Sequence, residues 1–226
     1  MPIEDYSGTT FVAYLDISGF KEKMRDGRKA WEALDKLYTT GYKELKENMC
    51  YEQINGIFIS DCGILFARSR QSDERNLETL LKIIRKINID LLSEDIMLTT
   101  SVAYGKFKYE GRIEFEGGVK NPIYGNAYLN AYLDNENGIP KIQPGQCRII
   151  KKDLPNEIEE RILRGANNDD DIFSKIHPRN DKNHYYFYWM LRNSTDDREE
   201  FERKYNDSYN LKYKGFLDAL KFYAES

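Results

Sequence analysis

The chain has few of the residues that build small rigid scaffolds. It holds three cysteines, two histidines, two tryptophans and six prolines in 226 residues. Cys50, Cys62 and Cys147 are odd in number and fit neither a zinc site nor a disulfide framework, so reduced thiols in a cytoplasmic protein are expected. With no base beside them, thiol catalysis is not expected. His177 and His184 stand at no metal-ligand spacing and read as structural or surface histidines. No apolar run reaches the ~20 residues that cross a bilayer. The acidic start, Met1-Pro2-Ile3-Glu4-Asp5, lacks the apolar segment of a secretory signal. Excess positive charge is also missing. With 34 Lys and Arg against 38 Asp and Glu, net charge is −4, so adhesion to nucleic acid or an anionic membrane is not favoured. There is no internal repeat and no low-complexity linker. The remaining composition, 40% apolar and 32% charged, suits one globular domain with a sizeable core.

Two acids set against apolar runs stand out. Phe11 to Leu15 leads into Asp16, then Ile17-Ser18-Gly19-Phe20; Ile57-Phe58-Ile59-Ser60 leads into Asp61, then Cys62 to Phe66. A carboxylate at the end of a buried strand loses hydration, and something must compensate. Alone, Asp16 reads as a helix cap and Asp61 as a turn residue. Together, each beside an apolar strand, they point to a pair of divalent cations, Mg²⁺ or Mn²⁺, shared with phosphate oxygens. After Asp16, Gly19 permits close backbone approach, and the helix that follows turns its first N–H groups toward an anion.

Periodicity supplies the frame. Residues 11–16 read as a central strand and 21–48 as a helix broken near Asp26-Gly27, with Trp31, Leu34, Leu37, Tyr38, Tyr42 and Leu45 inward. Residues 52–59 and 61–67 form a tight hairpin, and 73–92 the clearest helix, striped by Leu77, Leu80, Leu81, Ile84, Ile87 and Leu91. A strand follows at 96–107, an irregular hairpin at 109–121, and a helix at 124–136. A strand at 146–150, a short helix at 154–163, a loop at 165–171 and an aromatic strand at 185–191 complete the core. The order implies an α+β, ferredoxin-like core, a mostly antiparallel sheet covered by helices. It occupies 1–192, with a C-terminal helical extension over 193–226. In such a sheet the end of the first strand meets the hairpin tip, which brings Asp16 to Asp61. On the 124–136 helix, Asn130 is placed to bond a ribose or base, and Tyr132 to stack or bond a phosphate; any one of these residues alone is equally a surface-helix residue.

These motifs resemble the class III nucleotidyl cyclases. Leu15-Asp16-Ile17-Ser18-Gly19-Phe20 is similar to their first-strand motif and Ser60-Asp61-Cys62 to their second metal hairpin. Val102-Ala103-Tyr104-Gly105 resembles the glycine-ended strand that follows, and Tyr124-Gly125-Asn126-Ala127 through Ala131-Tyr132 the helix bearing partner-subunit residues. Order and separation agree over 11–150. Within the family the match is to the bacterial pyrimidine cyclases of the Pycsar anti-phage systems, whose Asp-Ile-x-Gly-Phe-Lys start continues here in Lys21. The resemblance implies a homodimer with composite active sites and a nucleoside triphosphate substrate. It gives two metal ions on Asp16, Asp61 and the Ile17 carbonyl, a triphosphate held by Ser18, Gly19 and Phe20, and a base and ribose site that includes Ile57, Tyr124 and Tyr132. The expected product is cyclic UMP or cyclic CMP, an anti-phage signal. Two departures matter. Ile57 stands where adenylate cyclases carry a base-reading Lys, and Pro122 where they carry an Asp, so a purine code is absent. The family's Asn-x-x-x-Arg pair also fails: Asn130 serves for the Asn with a one-residue shift, and Asp134 then occupies the Arg position. Lys106, Lys141 and Arg148 are the candidate replacement cations, Lys106 taken as catalytic. The alternatives are a purine-specific cyclase, a diguanylate-type synthase, or a catalytically silent nucleotide-binding relative.

Overall fold

A computed structural model describes residues 4–48, 54–68, 71–113, 119–120, 122–164, 171–178 and 181–190. The expected C-terminal extension, Cys50 and most of the 165–171 loop lie outside them. β1 (Tyr6–Ile17) leads through a short α1 (Phe20–Lys23) into α2 (Gly27–Asn48). The hairpin β2 (Ile54–Ile59) and β3 (Cys62–Ala67) follows, then α3 (Asp73–Ser93) and β4 (Leu98–Tyr109). Short strands β5 (Arg112–Ile113), β6 (Val119–Lys120) and β7 (Ile123–Tyr124) precede α4 (Asn126–Asn137). β8 (Cys147–Ile150), α5 (Asn156–Arg164), a 3₁₀ turn (Ile172–Lys175), β9 (Ile176–Pro178) and β10 (His184–Phe187) close the described chain.

The main sheet runs β2-β3-β1-β4-β8-β10-β9, with β7 added to β4. Its first four strands have the ferredoxin-like order, all antiparallel, and only β4–β8 is parallel. The fold is therefore α+β, as the element order implies. β1 is central because both faces of its middle are apolar: Phe11, Ala13, Leu15 and Ile17 enter one core, Val12 and Tyr14 another. The larger core lies under α2, α3 and α5, and among the described residues α4 covers the smaller one. The α3 stripe is completely buried. Each such Leu or Ile contributes about 1.5–3 kcal/mol. Ser72 caps α3 by accepting a hydrogen bond from the Arg75 amide at 3.3 Å.

The α2 stripe differs from expectation. Trp31 is 65% exposed and Tyr42 49%. Leu34, Leu37, Tyr38 and Leu45 do face the core, and small residues, Ala30, Ala33 and Gly41, complete the inward face. A Cβ on Gly41 would stand 2.1 Å from the Phe58 ring, so its absence lets α2 lie close on the sheet. The last strand is also shorter than the expected 185–191. Tyr188 and Trp189 are buried beyond it, the indole donating to the Gly145 carbonyl at 2.8 Å. β9, three residues ending in a proline on the sheet edge, gives no periodic signal. Tyr124 pairs in β7 instead of opening α4. Among the described residues no helix is long and apolar enough to cross a membrane.

Candidate active site

The β1–β3 ladder determines where the two acids meet. Asp16 lies opposite Cys62 on one side and Thr99 of β4 on the other. Past the ladder, the Ile17 amide donates to the Asp61 carbonyl at 3.0 Å, and the Ser18 amide to that of Met97 at 2.8 Å. The strand end is thus tied on both sides, and residues 45 apart in sequence share one corner of the sheet. Strand alternation turns Asp16 to the α4 side, with Tyr14. Its carboxyl is pushed up to about 7, first by burial, then by the negative charge of Asp61 and of Glu136, with Lys21 opposing.

That unrelieved negative charge is the reason the donors suit a hard divalent cation. Among the described residues no three His, Cys, Asp or Glu side chains form a metal cage. Asp16 and Asp61 would hold such an ion, with the Ile17 carbonyl as a further oxygen ligand, and hard oxygen donors of this kind suit Mg²⁺ or Mn²⁺. The adjoining turn suits the phosphate end. Gly19 adopts φ 72° and ψ 22°, a left-handed conformation that an L side chain strains to reach, and it opens α1. Ser18 Oγ is buried without a hydrogen-bond partner among the described residues. The Phe20 ring, by contrast, is buried in the large core, so this residue offers a ligand only its backbone.

The other sequence-derived candidates are spread along α4 and β4. Ile57 is half-buried on the α4 side of the sheet and brings no polar atom. The Tyr132 ring meets Tyr14 edge-on at 5.4 Å. Asn130 Nδ2 is buried without a partner among the described residues. Tyr124 lies farther off, its hydroxyl donating to Glu110 at 3.3 Å and Lys108 Nζ 5.5 Å from its ring. Lys106 is exposed, opposite Thr9. It stands seven residues beyond Thr99, about 24 Å from the level of Asp16. In its own protomer, therefore, it does not reach the carboxylate pair.

Arg148 needs a firmer correction as a candidate phosphate ligand. It is completely buried: Nε donates to Asp134 Oδ2 at 2.7 Å and Nη2 to Oδ1 at 2.9 Å, with further bonds to the Asp134 and Pro140 carbonyls. His184 is no surface histidine. It is buried between Asp134 and Asp181, at 2.8 Å from each. Burial alone would raise the Asp134 carboxyl, but bonds from His184, Arg148 and Ser101 outweigh it and hold it low. The sequence reading missed this cluster and Glu136, because their partners are distant in sequence and follow no local period. Cys62, in hydrogen-bond contact with Tyr14, has its thiol pushed up by burial, which agrees with the expectation of no thiol chemistry.

The ferredoxin-like sheet, with two acids at its first-strand end, has counterparts among solved structures. The chain resembles the adenylyl cyclase CyaB of P. aeruginosa, with TM-score 0.56 and 12% identity over 82% of this chain and 96% of that one. It resembles the guanylate cyclase domain of RhGC from Catenaria anguillulae, solved in complex with GTP, with TM-score 0.54 and 13% identity over 82% and 98%. The dimeric guanylyl cyclase domain of the RhoGC fusion protein of Blastocladiella emersonii gives TM-score 0.56 and 14% identity over 82% and 98%. The chain has the fold of class III nucleotidyl cyclase catalytic domains. No protein-family model matches the sequence, and no curated protein matches it significantly.

Proposed function

We propose that the protein is a metal-dependent nucleotidyl cyclase that converts a pyrimidine nucleoside triphosphate, UTP or CTP, to its 3′,5′-cyclic monophosphate and pyrophosphate. The observation that carries this reading is the junction of Asp16 and Asp61 at the corner closed by the Ile17–Asp61 hydrogen bond. Asp16, Asp61 and the Ile17 carbonyl would hold two Mg²⁺ or Mn²⁺ ions. When bound, such ions acidify a hydroxyl and neutralise phosphate charge. The Ser18-Gly19 turn and the Phe20 amide orient the triphosphate so that the ribose 3′-hydroxyl lies in line with the α-phosphate. Ile57 and Pro122 offer a purine edge no side-chain hydrogen bond, which supports a pyrimidine.

The distances within one chain support a homodimer. Lys106, Tyr124 and the start of α4 lie toward the sheet end opposite Asp16, so within one chain Lys106 and Tyr124 stand away from the acids, although Tyr132 lies near them. A two-fold-related copy would bring its Asn130 and Lys106 to the acids. A role as an anti-phage signal rests on the sequence resemblance to Pycsar cyclases.

The experiment is incubation of the purified protein with each nucleoside triphosphate and Mn²⁺, with products identified by mass spectrometry. Cyclic UMP or cyclic CMP is expected, and Asp16→Ala and Asp61→Ala each abolish it with the fold intact. Cyclic purine products alone would overturn the pyrimidine assignment. One observation favours a silent relative: Asp134 stands at the arginine position and Arg148 is fully engaged in neutralising it. Nucleotide binding by calorimetry without turnover of any of the four substrates decides for that reading.

A further inference from the structure

α4 has little apolar surface with which to hold its place. Its buried residues are Ala127, Ala131 and Asn135, while Leu129 and Leu133 are about half exposed, at 50% and 45%. Beside these two methyl groups and an amide, the partly buried Tyr128 and the Tyr132 ring against Tyr14 add apolar contact, so α4 gains less from burial than the fully buried stripe of α3 does. Polar anchors must fix its register, and they lie in its last two turns. Asp134 accepts from Ser101 Oγ of β4 at 2.7 Å, from Arg148 of β8, and from His184 Nε2 of β10 at 2.8 Å. The other ring nitrogen of His184 faces Asp181 Oδ2 at 2.8 Å, and Tyr186 donates to the same oxygen at 2.8 Å. Both imidazole nitrogens thus face carboxylate oxygens, and a ring that donates from both is the imidazolium. The cluster then balances two acids, Asp134 and Asp181, against two cations, Arg148 and His184, out of water where imbalance is costly.

The next two residues of α4 carry this anchorage to the candidate site. Asn135 donates from Nδ2 to the Tyr14 carbonyl at 3.5 Å and accepts from Thr99 Oγ1 at 2.9 Å. Thr99 is the residue paired with Asp16. Tyr132 rests against Tyr14 at 5.4 Å. One helical turn beyond Tyr132 is Glu136, and two strand residues beyond Tyr14 is Asp16. The two advances are about 6 Å and 7 Å, so Glu136 comes to overhang Asp16. We propose that His184 is a positioning residue of the Asp16–Asp61 site: clamped between Asp134 and Asp181, it fixes the final turns of α4 over the strands that carry Asp16 and Thr99. This rests on the reading of Asp16 and Asp61 as the metal-holding pair. The far hairpin β9–β10 thereby sets the negative field at the cation position without touching it.

The test uses the full chain and two measurements that need no turnover. These are amide hydrogen exchange resolved by segment, and Mn²⁺ affinity by electron paramagnetic resonance. His184→Gln leaves an amide oxygen against one carboxylate and a net negative cluster. Exchange in α4 is expected to accelerate by on the order of 100-fold, with β2–β3 far less affected. Mn²⁺ affinity is expected to fall by about 10-fold, as for lost outer-shell support. Adding Asp181→Asn in the same chain restores charge balance and supplies a donor toward the introduced amide oxygen, and both readouts should return most of the way. Uniform acceleration across all segments, or failure of the second substitution to restore α4, overturns the proposal. Should His184→Gln not fold, Tyr186→Phe removes the hydroxyl that bonds Asp181 and contacts Arg148, and is read the same way: acceleration confined to α4 supports the proposal, and none or uniform acceleration overturns it. Absence of Mn²⁺ binding in the unmodified protein would reject the metal reading, while the exchange result still decides the role of His184.

Discussion

Asp16 couples the candidate chemistry to stability. Its folded-state carboxyl is raised to about 7 by burial and by its acidic neighbours. A raised carboxyl contributes stability that is present in full below the ordinary value near 4 and is lost as pH rises through about 7. Metal-free protein should therefore soften as pH rises from about 4 to about 7 and change little from this group above that. Asp16→Asn removes the titration, so its melting temperature is expected to exceed that of the unmodified protein at pH 8 and to match it near pH 4. Added Mn²⁺ should reverse that order at pH 8, because only the native carboxylate gains from the ion. Thermal unfolding with and without Mn²⁺ measures both effects, and parallel curves for the two proteins would refute the account. A second residue-scale prediction concerns Asp134. Asp134→Ala leaves the Arg148 guanidinium buried without its carboxylate and should cost about 3–5 kcal/mol in denaturant unfolding.

At the scale of elements, what the sequence revealed depended on how local the signal was. The α3 stripe, the β2–β3 hairpin and the break before Gly27 were legible because period, turn and cap lie within a few residues of one another. The meeting of Asp16 and Asp61 was legible for a different reason: the fold puts a strand end beside a hairpin tip whatever their separation. The inward face of α2 was misread where large apolar residues were weighted over small ones. Trp31 points outward, Tyr42 is half exposed with its ring edge-on to Phe58, and Gly41 lets the Phe58 ring approach. Gly41→Ala is accordingly expected to destabilise by about 1–3 kcal/mol, despite the higher helix propensity of alanine, because the added methyl overlaps a buried ring. Chemical denaturation checks this, and a stabilised variant would show that α2 can shift outward at no cost. The Arg148–Asp134–His184 cluster was illegible because its members come from three elements and its logic is charge balance.

Across the whole molecule, the proposed dimer with composite sites makes a sharp demand. Asp16→Ala and Asn130→Ala should each be inactive alone. Mixed after dissociation and reassociation, they should recover about a quarter of native activity, since half the dimers pair unlike chains and each of those has one intact site. No recovery, with mixed dimers demonstrated by mass spectrometry, would assign both halves to one chain. The placement of β1 has a separate consequence during biosynthesis. It leaves the ribosome well before its neighbour on one edge, β4, which is finished only at Tyr109. At roughly 5–20 residues per second, that is a wait of about 5–20 s for a segment apolar on both faces. Nascent chains stalled before β4 should therefore be the ones that chaperones hold and that aggregate when chaperones are scarce.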